Sequence, residues 1–191
     1  SDTRVATYGY DWRNRRTSAD GEIDLYEKLY YDNLDRVTKG ERYDTSANGN
    51  LIGRSETKYD DLSRLYQTVT YAVDPASGNV GNSLTGNVWY DASDNVIKRN
   101  AAGSGKVFSK TSYDSLGRPT KQYSGYDTAE TNYGDAGTVS NDTILEQTEL
   151  TYDPSSAVLM VASRQRLHDA TDTGELTTIG GSQPKARVSY T

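Results

Sequence analysis

One histidine, no cysteine and many carboxylates bound the chemistry open to this 191-residue chain. A nucleophilic triad or an imidazole metal site needs a histidine held in a pocket. His168 instead lies in a polar stretch that reads as a turn. Without cysteine there are no disulfide staples or thiolate sites. Acids adjoin at Asp60-Asp61 and cluster at Asp169 and Asp172, yet two carboxylates do acid–base work only across a cleft, and these read as solvated turn acids. Residues 169–175 set oxygen ligands beside Gly174 but break the spacing of a calcium-binding EF-hand loop. Asn141-Asp142-Thr143 fits the N-glycosylation sequon, a pattern frequent by chance. No glycine-rich phosphate loop follows a strand pattern. The sequence thus points to no catalytic residue, no metal ligand and no cofactor. With a net charge of −6 and a pI near 4.8, it lacks the basic stripe that a nucleic-acid partner requires. The dense basic cluster, Arg13, Arg15 and Arg16, reads as a solvated hairpin tip. What remains is aromatic: Trp12, Trp89 and 16 tyrosines, whose rings can stack on a ligand or on one another.

The tyrosines are not scattered. Eight are followed directly by Asp, several times more than random order gives. Six of these pairs align over a longer motif: Tyr10-Asp11, Tyr31-Asp32, Tyr59-Asp60, Tyr90-Asp91, Tyr113-Asp114 and Tyr152-Asp153. The clearest copy is Tyr113-Asp114-Ser115-Leu116-Gly117-Arg118. Tyrosine favours strands. An Asp after it can accept hydrogen bonds from backbone N–H groups two or three residues on and start a turn. The fourth residue after Tyr is Asn14, Asp35, Ser63, Asp94, Gly117 or Ser156. Gly takes positive φ freely, and Asn and Asp tolerate it best among the rest. The fifth is Arg15, Arg36, Arg64 and Arg118, replaced by Asn95 and Ala157 in two degenerate copies. Each copy therefore reads as strand, Tyr, Asp-initiated turn, positive-φ residue, Arg, strand. In such a hairpin Tyr and Arg are expected to face each other at its mouth, with the guanidinium on a repeat Tyr ring and its N–H fork on the neighbouring Asp.

Tyr-Asp-x-x-Gly-Arg at intervals of twenty-odd residues or more resembles the YD repeat of the RHS (rearrangement hotspot) proteins, which include bacterial polymorphic toxins, the cocoon-forming subunits of insecticidal toxin complexes, wall-associated proteins and teneurins. The resemblance spans nearly the whole chain. It implies β-hairpins in one continuous twisted or spiralling sheet, used as a wall or hollow shell. It further implies a bacterial secreted or cell-surface setting, with the remainder of a large protein, a toxin cargo, a glycan or a protein as partners. The aligned tyrosines are spaced by 21, 28, 31, 23 and 39 residues, less regular than a typical array. The Asp-Pro-x-Gly autocleavage signature of toxin shells is not visible. The expected role is thus a non-enzymatic piece of repeat wall, excised from a longer protein. The alternative is a carbohydrate- or protein-binding adhesion module that presents Tyr and Trp faces, with Trp12 and Trp89 as candidate ligand-facing aromatics.

The elements that must position these residues follow from period-2 patterning between turn signals. The fold class is all-β, with about six antiparallel hairpins over residues 1–191. The expected pairs are 3–11 with 15–19, 23–31 with 36–43, 51–59 with 64–73, 87–90 with 96–99, 106–113 with 119–126, and 144–152 with 158–167. A short strand at 175–179 and a last strand after the break at 180–184 complete them. Residues 74–86 read as a long turn-rich connection and 127–142 as a mobile loop. Hydrophobic residues make up 34% of the chain, with one Phe and one Met. That predicts a thin layer in which repeat tyrosines pack on one another and each unit is buried mainly by its neighbours. No apolar run approaches the roughly 20 residues that cross a bilayer as a helix, so no membrane insertion is expected.

Overall fold

The computed structural model describes residues 5–21, 25–127, 133–177 and 186–191. The chain is all-β. Its strands are β1 (Thr7–Tyr10), β2 (Arg16–Asp20), β3 (Tyr26–Tyr31), β4 (Val37–Tyr43), β5 (Leu51–Tyr59), β6 (Leu65–Val73), β7 (Val80–Tyr90), β8 (Val96–Asn100), β9 (Val107–Tyr113), β10 (Pro119–Tyr126), β11 (Thr143–Tyr152), β12 (Val158–Arg166) and β13 (Ala186–Tyr190). Sheet order follows chain order from β1 to β13. Two compact units divide at Gly86/Asn87.

Every Tyr-Asp motif sits at a hairpin turn. In the second, the Asp35 N–H donates to the Asp32 carbonyl at 3.3 Å and the Asp32 N–H donates to the Arg36 carbonyl at 3.0 Å. A type I turn followed by one left-handed residue has this pattern. The left-handed residue is the fourth after Tyr in all six copies: Asn14 (φ 60), Asp35 (63), Ser63 (65), Asp94 (67), Gly117 (76) and Ser156 (70). Because that residue is an extra one, pairing shifts register beside each Tyr. Tyr31 lies opposite Val37, Tyr59 opposite Leu65 and Tyr113 opposite Pro119. The expected Tyr–Arg opposition is therefore wrong by one residue. Arg closes the turn against Asp, and the sixth residue faces Tyr.

Three further expectations change. Residues 80–86 are not a connection: β7 begins at Val80, and the turn before it is closed by the Asp74 N–H to Asn79 O at 3.0 Å and Gly78 N–H to Asp74 O at 2.7 Å. Turn-type residues there pair as strand because a ladder needs only backbone groups. Residues 133–142 are not a loose loop: a 3₁₀ turn at Tyr133–Gly137 leads into a segment where Ala136 and Asp142 are buried. Residues 174–177 form isolated bridges in place of a strand start. The positions at 3–4, 23–24, 128–132 and 178–185 lie outside the described residues.

The core also differs from a tyrosine layer. In the second unit, Phe108, Tyr123, Ile144, Leu176 and Ala186 bury one another, with Val139 packed against them. The 133–142 and 174–177 segments fold back over the sheet to make it. In the first unit the charged residues of one sheet face bond mutually. Glu41, 7% exposed, accepts from the Tyr30 hydroxyl at 2.8 Å and Tyr43 at 3.0 Å, and pairs with Lys39 at 3.0 Å. Glu56 accepts from Arg54 Nε at 3.2 Å and the Tyr71 hydroxyl at 3.0 Å. Burial pushes Glu41 up, but these donors outweigh it and hold the carboxyl below its ordinary value.

Candidate functional site: the turn-edge ladder

Within each motif the Asp side chain organises its own turn. Asp32 Oδ1 accepts from the N–H of Leu34 at 2.8 Å and of Arg36 at 3.1 Å, and Oδ2 accepts from Arg36 Nε at 2.7 Å. Asp11, Asp60 and Asp114 repeat the scheme with Arg15, Arg64 and Arg118, their Oδ2–Nε distances being 2.6, 2.7 and 2.7 Å. The backbone donors are thus two and four residues on, not two or three. Asp91 keeps the arrangement with Asn95 Nδ2 at 3.0 Å. Asp153 substitutes the Ser155 hydroxyl at 2.8 Å. These bonds favour the ionised carboxylate. The Arg15 side chain holds Asp11 below its ordinary value, the Arg118 N–H does so for Asp114, and Ser155 and Ala157 do so for Asp153. At Asp32 and Asp60 desolvation pushes upward, and the arginine that follows outweighs it.

The same arginine then reaches the next hairpin. The Arg36 guanidinium carbon stands 4.7 Å from the Tyr59 ring centroid, and its Nη1 donates to Asp60 O at 3.4 Å and Ser63 Oγ at 3.0 Å. Arg15 lies 4.8 Å from the Tyr31 ring, and its Nη1 donates to Asp32 O at 3.0 Å and Asp35 Oδ1 at 2.7 Å. Arg118 lies 4.6 Å from the Tyr152 ring, donating to Asp153 O at 3.3 Å and Ser156 Oγ at 3.0 Å. The tyrosine answers in the other direction. Its hydroxyl donates to the residue after the previous Arg: Tyr31 to Arg16 O at 2.7 Å, Tyr59 to Val37 O at 3.2 Å and Tyr152 to Pro119 O at 2.8 Å. After Asn95, Tyr113 keeps its half, donating to Val96 O at 2.9 Å.

Repeat tyrosines therefore stack under the preceding hairpin's guanidinium, not on one another. Among the described residues the ring pair is Tyr26 with Tyr43, at 6.0 Å, and neither is a motif tyrosine. The Arg13–Arg16 cluster is likewise not simply solvated. Arg13 donates to Asn33 O at 3.1 Å and Asp35 Oδ1 at 3.2 Å, while Arg16 pairs with Glu27 at 3.0 Å. Sequence reading also missed that the left-handed residue is an acceptor. The signal was present: Asp and Ser stand where Gly is easier.

The remaining candidates separate. Trp12 is 85% exposed at the first turn, with Arg13 4.7 Å from its ring. Trp89 is half-buried in β7 with Lys98 Nζ 4.7 Å from its ring, so that face is taken. His168 is exposed after β12. Three of residues 169–175 turn oxygens toward protein cations. Arg166 donates to the carbonyls of Ala170 and Asp172, and Glu175 accepts from Lys121 Nζ at 2.9 and 2.8 Å and from the Tyr123 hydroxyl at 2.8 Å. Burial and then Glu175 push the Tyr123 phenol up. Beside them lies an open polar cleft of about 480 Å³ lined by Ser112, Val139, Ser140 and Thr173 among others. Among the described residues no three His, Asp or Glu side chains converge on a metal-sized site.

No family model matches the chain, and no curated protein matches it. Among solved structures it is similar to a chain of the TcdB2-TccC3-Cdc42 crystal structure, with TM-score 0.48 and 10% identity, over 99% of this chain and 8% of that one. It is also similar to TcdB2-TccC3 without its hypervariable C-terminal region, with TM-score 0.44 and 12% identity, over 98% of this chain and 10% of that one. A third is the Photorhabdus luminescens Tc holotoxin pore with a TccC3 mutation, with TM-score 0.37 and 15% identity, over 83% of this chain and 9% of that one. The chain thus spans a tenth or less of the length of these solved chains.

Proposed function

We propose that this chain is a non-enzymatic wall segment of a large secreted or cell-surface YD-repeat protein, part of a β-shell that encloses a toxin or other cargo. The observation that carries the reading is the ladder. The polar groups of the motif are used to tie one hairpin to the next, which leaves them committed to mechanical continuity. The family resemblance of the motif supplies the shell and the cargo. The test is substitution of Arg36 and Arg118 by Lys and by Ala. Lys keeps the charge but lacks the planar fork, so each Lys variant is expected to lower the urea midpoint and each Ala variant to lower it further. Stack and fork together contribute about 0.5–1 kcal/mol or more per site. Unchanged stability accompanied by loss of a glycan or protein ligand would replace the wall with a binding module.

One observation favours that second reading. Trp12 is the most exposed large apolar side chain described, on a tip where packing does not explain it. A glycan that quenches Trp12 fluorescence, with the effect abolished in Trp12→Ala, would support it.

A further inference from the structure

The polar cleft of the second unit has fastened walls. Tyr123 of β10 lines it from the sheet, and residues 137–140 and 173–175, from the two segments that fold back, line its sides. The sides are tied to each other. Thr173 Oγ1 donates to Ser140 O at 3.2 Å, and the Gly174 N–H donates to Asp142 O at 2.8 Å. Gly174 has φ 94, and a Cβ there would stand 3.4 Å from Ser140 O, so this close approach calls for glycine. Each side is also fastened to the sheet beneath. Lys110 Nζ donates to the Thr138 carbonyl at 2.7 Å, and the Leu176 N–H donates to Gln147 Oε1 at 2.7 Å. A concavity held in this way is preorganised, which lowers the ordering cost of binding.

The lining restricts what the cleft can hold. Val139 and Leu176 pack into the core, while Thr138, Ser140, Thr173 and Glu175 line the cleft. Glu175 is the one charged lining residue, and Lys121 neutralises it through both carboxylate oxygens, at 2.9 and 2.8 Å. The cleft therefore favours neither an anion nor a cation. Oε1 also accepts from the Tyr123 hydroxyl at 2.8 Å. Oε2 accepts from Lys121 alone among the described residues and keeps a lone pair. Thr138 and Ser140 are exposed, and each hydroxyl can both donate and accept. The Tyr123 ring is buried, so a flat aromatic ligand finds no face to stack on. Polar residues on a solvated surface are ordinary, but their convergence on a cross-tied cleft is not. The matching ligand is uncharged, dense in hydroxyls, and small enough for about 480 Å³. A monosaccharide or disaccharide has those properties.

We propose that the cleft between residues 137–140 and 173–175 is a binding site for a neutral saccharide. Sugar hydroxyls donate to Glu175 Oε2 and accept from the Thr138 and Ser140 hydroxyls. The site rests on the geometry of the second unit, and on neither the wall role nor Trp12.

The probes are an array of neutral, sialylated and sulfated glycans, followed by nuclear magnetic resonance titration of the full chain with the neutral saccharide bound best. Saturable shifts are expected at the amides of 137–140 and 173–175. Glu175→Gln leaves the Lys121 ammonium without its counter-charge. The neutral saccharide should then bind about ten-fold more weakly, the loss of a charge-assisted bond, and sulfated glycans should gain affinity. A Glu175 that only supported the fold would not reverse the preference. Gly137 lines the cleft, and a Cβ there meets nothing within 4 Å. Gly137→Phe should therefore melt as the wild type does and yet bind more weakly, whereas Trp12→Ala should bind as the wild type. Absence of neutral-glycan binding, shifts outside the two segments, unchanged affinity in either cleft variant, or loss of binding in Trp12→Ala would each overturn the proposal.

Discussion

Replacing Lys110 by Met should do more damage than any single change on the turn edge. Lys110 Nζ donates to Asp135 O at 2.8 Å, Thr138 O at 2.7 Å and Asp142 Oδ2 at 2.7 Å. The two charged side chains are only 3% and 5% exposed. Its three donors are thereby filled, and the 133–142 segment is fastened over β9. Lys98 lies directly opposite in the ladder and is itself buried. The Asp142 charge, with Phe108 4.6 Å from Lys110 Nζ, offsets that like-charge opposition. Met keeps the stem and removes the ammonium, taking a charged donor away from a buried carboxylate and from two carbonyls. Breaking one partner of a buried pair costs about 3–5 kcal/mol, a large share of the roughly 5–15 kcal/mol of an ordinary domain. Urea unfolding of wild type, Lys110→Met, Asp142→Leu and the double variant measures the cost. The double variant should be less damaged than the sum of the singles by roughly 0.5–3 kcal/mol. Amides of 133–142 should exchange faster in Lys110→Met. A loss below about 1 kcal/mol, or strict additivity, would refute the latch.

Two other outcomes follow from the geometry. Gly117 has φ 76, and a Cβ there meets nothing nearer than Asn95 Oδ1 at 3.6 Å. Gly117→Val should therefore cost about 1–3 kcal/mol from backbone strain alone, and Gly117→Asn, the residue found at position 14, distinctly less; equal costs in thermal melts would mean that bulk and not φ decides. The depressed carboxyls Asp11, Asp32, Asp60, Asp114 and Asp153 give an acid-side dependence. Their contribution is complete above the ordinary value of 3.8 and is lost as pH falls through the lower folded values. The urea midpoint should drop steeply only below about pH 4, and a loss already complete at pH 5 would point to other groups.

The turns were legible because their chemistry is local. Tyr, Asp, a residue tolerant of positive φ and Arg all act within six positions, so aligned copies specify each hairpin. The register at Tyr31 and Val37 was not legible, since the extra left-handed residue shifts pairing by one only once the turn closes. The direction of Arg36 was not legible either: its partners Tyr59 and Ser63 lie more than twenty residues on. Lys110 was hidden most completely. In Phe108-Ser109-Lys110-Thr111 it looks like a polar residue of a half-exposed strand, and only the return of residues 135–142 over that face makes it buried. That stretch read as mobile because its composition is turn-like. Its stability comes from a lysine 25 to 32 residues earlier.

Unequal motif spacing also takes on a physical meaning. Arg15 reaches Asp32 and Asp35 across a 21-residue interval, and Arg118 reaches Asp153 and Ser156 across 39. The contacts nevertheless agree atom for atom: Nη1 to a carbonyl, Nη1 to the left-handed residue, ring under guanidinium. The added length is therefore absorbed at the opposite strand ends, between β10 and β11, where residues 133–142 lead into β11. One edge is held by a covalently short motif whose three contacts tolerate no insertion. The other edge is free to lengthen, since loop closure grows costly only slowly with length. In the second unit, that freedom builds the core. The segment returning between β10 and β11 and the one between β12 and β13 bring Val139 and Leu176 onto Phe108, Tyr123 and Ile144. A chain with few apolar residues can thus keep a regular edge by polar ties and spend its scarce aliphatic side chains where the irregular edge folds back.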